Sequence, residues 1–269
     1  MMKSQGRFIL LYIIIGVNLL VGCGRKAAPQ YVIGVSQCSE DIWRDKFNKE
    51  LQMAEYLNDS IQVKLASSND DSKLQTRQIN QMIDEKVDLL VIAPNQLNTI
   101  SPAINRAYDK GIPVIIYDRK ANSNKYTAFI GCDNYAIGKS MGEFIAQKLQ
   151  GKGRVVEIRG LEGSSPALER HRGFMEAMKK YPGMQVVASE AGDWKEESGK
   201  KAMQRILDKT RDFDYVFSHN DRMGWGAYQV VRDKGLARNY KFTGMDAMAT
   251  LNGGLELVRD GIFEASYLY

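Results

Sequence analysis

Asp118 and Arg119 stand at the abrupt end of the apolar run 114–117, which rises out of Gly-Ile-Pro at 111–113. An acid beside a guanidinium makes either an internal ion pair or a two-sided grip on something polar. The grip gains weight because other apolar runs end in the same way. The run 31–35 is followed by Ser36, Glu40 and Trp43, and the run 154–158 by the loop GLEGSSPALER, with Arg170 one turn into a helix. The run 185–189 leads to Asp193-Trp194, 215–218 to His219-Asn220-Asp221, and 241–244 to Asp246. Carboxylates, amides and guanidinium groups can each hold two adjacent hydroxyls. An indole offers a flat apolar surface to the C–H face of a ring. A sugar asks for that mixture. Taken singly, each acid can equally be a helix cap, and Trp43 and Trp194 ordinary core aromatics. Six strand ends alike argue for one shared site.

The elements that must carry these residues alternate. Continuous apolar runs such as 88–92 and 114–117 read as strands buried on both faces. Between them, spacings of three and four mark helices: Trp43, Phe47, Leu51 and Ala54 in the first, and Ile100, Ala103, Ile104 and Ala107 in another. Asn69-Asp70-Asp71 supplies capping residues for a helix through Glu85. A strand and a helix every ~30 residues make βαβ units and a parallel, doubly wound sheet. Gly151-Lys152-Gly153 interrupts this rhythm, which then restarts. We therefore expect an α/β protein of two doubly wound parallel-sheet lobes joined by a hinge near 131–134, with lobes at 31–132 and 133–269. Ligands of such sheets sit beyond the carboxyl ends of the strands, where the polar tips fall.

Composition narrows the partners. The 269 residues carry 37 basic and 32 acidic side chains, a net charge of +5, and the basic ones are scattered. Nothing resembles a nucleic-acid patch. Residues 1–23 have a secretion signal's layout, with a basic start and an apolar run at 8–21 that is short for a membrane span. Residues 24–30 read as a tether. Cys38 and Cys132 have no zinc or CxxC spacing, and their pairing stays open. We expect no metal and no cofactor. GxGxxG is missing from the first strand's turn and GxxxxGK[ST] from the whole chain, which argues against nucleotides. His171 and His219 are the only histidines, with no nucleophile motif beside them. His171 reads as a surface residue, and His219 as one able to reach a ligand. Glu196-Glu197 point in different directions on a helix, a poor geometry for a glycosidase pair. The chain does not read as an enzyme.

The ordered segments YVIGVSQ, DLLVIAPN, GIPVIIYDRK, FIGCDNYAIGK, VVEIRGLEGSSPALERHRGF, SEAGDWKEESG, FSHNDRMGWGA and TGMDA resemble the ribose-binding branch of the periplasmic sugar-binding proteins, whose fold is also the effector domain of LacI-type repressors. More closely, the combination resembles the extracytoplasmic sensor domain of hybrid two-component regulators. The resemblance covers 31–269 and implies the type I periplasmic-binding fold. It implies binding of a monosaccharide or small oligosaccharide with hinge closure, in the periplasm, and a sensor kinase as partner. The other implied role is the lipid-anchored binding subunit of an ABC-type sugar transporter. By the resemblance, sugar contacts fall on Ser36, Glu40, Trp43, Asp118, Arg119, Arg170, Trp194, Asn220, Asp246 and Tyr269. Glu40, Trp43 and Tyr269 depart from the ribose pattern, which puts ribose itself in doubt. Leu20-Val21-Gly22-Cys23 resembles a lipobox, implying lipid on Cys23 and a membrane-anchored chain. The family carries a few dozen further residues that complete the first lobe's sheet, so the chain is expected to be a fragment or a truncated product. Its first lobe should then expose apolar surface.

Overall fold

The computed structural model describes residues 29–269. The expected signal at 1–23, the lipidated Cys23 and most of the tether at 24–30 lie outside the described residues.

The first sheet is built from β1 (Tyr31–Gln37), β2 (Ile61–Ser67), β3 (Leu89–Ile92), β4 (Val114–Tyr117) and β5 (Ala128–Ile130). All its pairings are parallel and the order is β2-β1-β3-β4-β5. Its helices are α1 (Ile42–Tyr56), α2 (Ser72–Asp84) and α3 (Ser101–Asp109). Asp71 caps α2 as expected, accepting from the N–H groups of Lys73 and Leu74. The face Ile100, Ala103, Ile104 and Ala107 is fully buried or nearly so against Ile92 and Ile116. The stripe on α1 is shallower. Trp43 and Phe47 are half-buried and Ala54 is exposed, while Met53, Tyr56 and Leu57 are open to solvent.

A second sheet repeats the plan with β6 (Lys152–Arg159), β7 (Gly183–Ala191), β8 (Tyr215–Ser218), β9 (Lys241–Asp246) and β10 (Ala265–Leu268). Its order, β10-β9-β8-β6-β7, is the first sheet's order read backwards, again all parallel. Around it pack α4 (Asn134–Lys148), α5 (Ser165–Lys179), α6 (Glu196–Lys209), α7 (Asp221–Asp233) and α8 (Gly254–Arg259). Met141, Ile145, Phe174 and Phe217 fill one face of this sheet, and Met203, Ile206, Val216 and Phe242 the other. Burying one such side chain is worth roughly 1.5–3 kcal/mol, so each face is strongly held. The two parallel-sheet α/β lobes are therefore as the strand rhythm required.

Two details place the site. An open sheet of this order reverses direction between its first and third strands, which leaves a crevice at their carboxyl ends. Helices α4 and α5 also touch backbone to backbone. A Cβ on Gly138 would fall 2.1 Å from the carbonyl oxygen of Arg170. Glycine at that crossing is what fixes the start of α5, and hence Arg170, against the second lobe.

Candidate functional site

The carboxyl ends of the two sheets face each other across a cavity of about 550 Å³, its mouth included. From the first lobe come Asp41, Trp43 and Arg44 after β1, and Asp118 and Arg119 after β4. From the second come Arg170 on α5, Trp194 after β7, Asn220 after β8, Asp246 at the end of β9, and Tyr269 after β10. Eight of the ten expected contacts thus line one space.

Ser36 and Glu40 do not line it. The alternation of β1 turns Ser36 inward, where it is fully buried and accepts from the Gln75 amide at 3.3 Å. Glu40 is exposed, because the next residue, Asp41, takes the N-cap of α1. His219 is not at the ligand surface either. It is fully buried and bonded to Glu157 at 2.9 Å. His171 is half-buried rather than a free surface residue, with its Nδ1 at 2.9 Å from the same carboxylate. Arg44 carries a role that the reading of the strand tips overlooked. The signal was present, since Arg44 follows Trp43 within the first turn of α1.

Arg44 is, with Arg119, one of two buried guanidinium groups of the first lobe among the described residues. Its guanidinium meets Asp118 at 2.5 Å and Asp41 at 2.6 Å, and lies 3.0 Å from the Cys38 sulfur. Arg119 approaches Asp118 at 3.7 Å through Nε. On the other side, Arg170 donates from Nε to Asn134 at 2.9 Å and from Nη1 to the carbonyl of His219. Asn220 serves the fold as well, because it caps α7 at Met223 and donates to the Trp194 carbonyl at 3.1 Å. Tyr269 crosses the gap, giving its hydroxyl to Asp118 at 2.9 Å, with its ring tilted at 57° to that of Trp43 and 6.1 Å from it. Cys38 and Cys132 are both free thiols.

The backbone is bent to bring these tips inward. Asp118 (φ 60°), Trp194 (φ 68°) and Asp246 (φ 114°) all sit in the left-handed region, as do Asp193 and Ala247. Such conformations cost about 1–3 kcal/mol each and concentrate where a side chain must be aimed. Electrostatics add to the cost. Burial pushes the Asp246 carboxyl well above the usual carboxylate range, and neighbouring Asp221 adds to this while Arg170 opposes it. Asp221 is itself raised to about 6 by burial, against hydrogen bonds from Ser266, Ala247 and Gly254. The lining carboxylates Asp41 and Asp118 are paired with Arg44 and Arg119, while Arg222 is held by Glu196 at 2.5 Å. A lining of hydrogen-bonding groups whose first-lobe carboxylates are already paired, with indoles on both walls, can hold an uncharged molecule rich in hydroxyl groups. No helix among the described residues is long and apolar enough to cross a membrane, and no His, Cys, Asp or Glu cluster among them could hold a metal ion.

Comparison with known proteins agrees with this geometry. The family model described as periplasmic binding protein domain matches residues 33–269. The galactofuranose-binding protein of Escherichia coli is 30% identical over 234 residues, covering 84% of this chain and 73% of that protein. The ribose import binding protein of Bacillus subtilis is 32% identical over 175 residues, covering 65% of this chain and 57% of that one. The chain therefore spans a little over half to about three quarters of these relatives. Among solved structures, the fructose-binding periplasmic domain of a hybrid two-component system superposes with a TM-score of 0.86 at 42% identity. That match covers 89% of this chain and 80% of that domain.

Proposed function

As the chain belongs to the periplasmic binding protein domain family, we propose that it binds a small uncharged sugar between its lobes and serves as the periplasmic sensing domain of a signal-transduction system. The observation that carries this reading is the convergence of polar tips from both sheets on one cavity. Asp118 and Arg119 grip hydroxyls from the first lobe, and Arg170, Asn220 and Asp246 from the second. Trp43 and Trp194 offer the flat surfaces. A ligand that touches both sets gains affinity only when the lobes are together, so it shifts the open–closed balance toward closure. A partner that reads the closed shape, such as a sensor kinase, then receives the signal. The site holds its ligand unchanged, in keeping with relatives that are binding proteins by name. Lipid on Cys23 would tether the chain to the membrane.

The sensing role is supported by the similarity to the fructose-binding sensor domain. The transport role keeps a specific support of its own, since the Bacillus relative is an import binding protein. Reading the gene beyond Tyr269 separates them. A membrane span and a kinase would mean a sensor, and an early stop a transporter subunit. Ligand binding is tested by thermal shift with D-fructose, D-ribose, L-arabinose and myo-inositol, followed by calorimetry on any that stabilise. We expect at least one to raise the melting temperature. If none of these, nor a wider panel of neutral sugars, shifts it, the sugar reading fails.

A further inference from the structure

Beneath the second lobe's wall lies a group of polar side chains that the cavity does not use. Glu157 is in the middle of β6 and fully buried. A buried carboxylate is tolerated only when its oxygens are well supplied with donors. Here Ser189 donates to it at 2.6 Å, His171 lies at 2.9 Å and His219 at 2.9 Å. The other nitrogen of His219, Nδ1, accepts from the backbone N–H of Gly160 at 3.3 Å. Its proton is therefore on Nε2, facing Glu157, and the ring is neutral. The carbonyl of the same His219 accepts from Arg170 Nη1. Gly160 in turn is the seat of the Trp194 indole, since a Cβ there would lie 2.0 Å from the ring. Arg170 caps that ring at 5.4 Å, and Arg119 reaches it from the opposite lobe at 5.8 Å.

We propose that Glu157, His219 and Gly160 form a brace that positions Trp194 and Arg170 as a unit within the sugar site. The inference rests on the sugar-binding reading for its purpose, though not for its geometry. Glu157 fixes the imidazole, the imidazole fixes the Gly160 peptide and, through its own carbonyl, the Arg170 guanidinium. The bare Cα of Gly160 then lets the indole lie flat against the strand end. All three are positioning residues that act through the two side chains at the cavity wall.

The test needs a readout that sees Trp194 without a ligand. In the 269-residue chain carrying Trp43→Phe and Trp225→Phe, Trp194 is the remaining indole, and acrylamide quenching reports its exposure. Gly160→Ala and His219→Ala should both raise the quenching constant and shift the emission to the red. His219→Gln should leave both at the parent values, because its amide supplies the same donor and acceptor. Gly160→Ala deletes no hydrogen bond, so it carries the test alone if His219→Ala does not fold. In the otherwise unaltered chain, calorimetry with D-fructose as probe should show Gly160→Ala weakening binding by about tenfold or more, as for displacement of a packed aromatic anchor. Added to Trp194→Ala, it should weaken binding no further. Unchanged quenching in Gly160→Ala, or equal damage from the Gln and Ala variants of His219, would overturn the brace. Failure of the parent chain to bind D-fructose would count against that sugar alone and leave the quenching result to decide.

Discussion

Asp118 belongs to two chemistries at once: it neutralises Arg44 and Arg119, and it is placed to meet a hydroxyl. Removing it leaves the buried Arg119 guanidinium without its carboxylate and the buried Arg44 with Asp41 alone. Asp118→Ala should therefore cost about 3–5 kcal/mol of stability, the range for breaking one side of a buried pair. It should also abolish sugar binding. Calorimetry and chemical denaturation check the two halves, and micromolar affinity in the variant would contradict the assignment. Asp246 is the opposite case. Its folded-state pKa is raised, so ionising it opposes folding, and the penalty begins as the pH climbs past the ordinary carboxylate value and grows until the raised value is reached. Asp246→Asn should thus melt higher than the parent at pH 7, with the advantage shrinking toward pH 4. Its sugar affinity should nevertheless fall by about tenfold or more, the usual loss when a hydrogen-bonding group of a site is replaced by one that cannot pair in the same way. Melting curves at pH 4, 5.5 and 7 would show that advantage growing with pH.

At the level of elements, the crossing of α4 and α5 makes a sharper demand than any single side chain. Gly138→Val must push the two backbones apart, since its Cβ would lie 2.1 Å from the Arg170 carbonyl. We expect a loss of at least about 1–3 kcal/mol from overpacking, together with weaker sugar binding because Arg170 moves with its helix. A control at Gly111, where an added Cβ meets nothing but φ is 79°, separates strain from crowding. This crossing also marks where sequence reading stopped. The strands were legible because a buried parallel strand is a short continuous apolar run, as 114–117 and 215–218 show. Boundaries slipped where turn geometry decided them. The last helix, α8, begins only at Gly254, because Asn252 (φ 55°) and Gly253 form a turn before it. The tips Asp118, Arg119, Trp194 and Asp246 were legible as polar residues that end apolar runs. Glu157 and the seat at Gly160 were not, for their roles come from contacts between segments far apart in the chain. A glutamate inside an apolar strand was the one visible trace of the brace.

On the scale of the whole molecule, the lobes touch around the mouth of the cavity as well as through it. Lys195 pairs with Asp70 at 2.6 Å, and Lys120 with Glu169 at 2.7 Å. The Lys120 backbone N–H donates to Ser165 Oγ at 2.7 Å, and that of Leu97 to the Gly163 carbonyl at 3.0 Å. Each contact joins residues of opposite lobes, so it exists only when they are together and biases the balance toward closure with no ligand involved. The ion pairs are at least partly exposed, which limits each to about 0.2–1 kcal/mol and makes it sensitive to salt. Lys195→Ala should therefore leave the unfolding of the lobes unchanged while weakening apparent sugar affinity by about 1.5- to 5-fold, since affinity scales with the share of binding-competent molecules. The same change should flatten the dependence of affinity on salt between about 0.05 and 0.5 M, a span over which screening becomes strong. Lys120→Ala should do likewise without losing the backbone bond to Ser165. If both variants bound as the parent does at every salt concentration, the rim would be carrying no part of closure, and the ligand's own contacts would have to supply all of it.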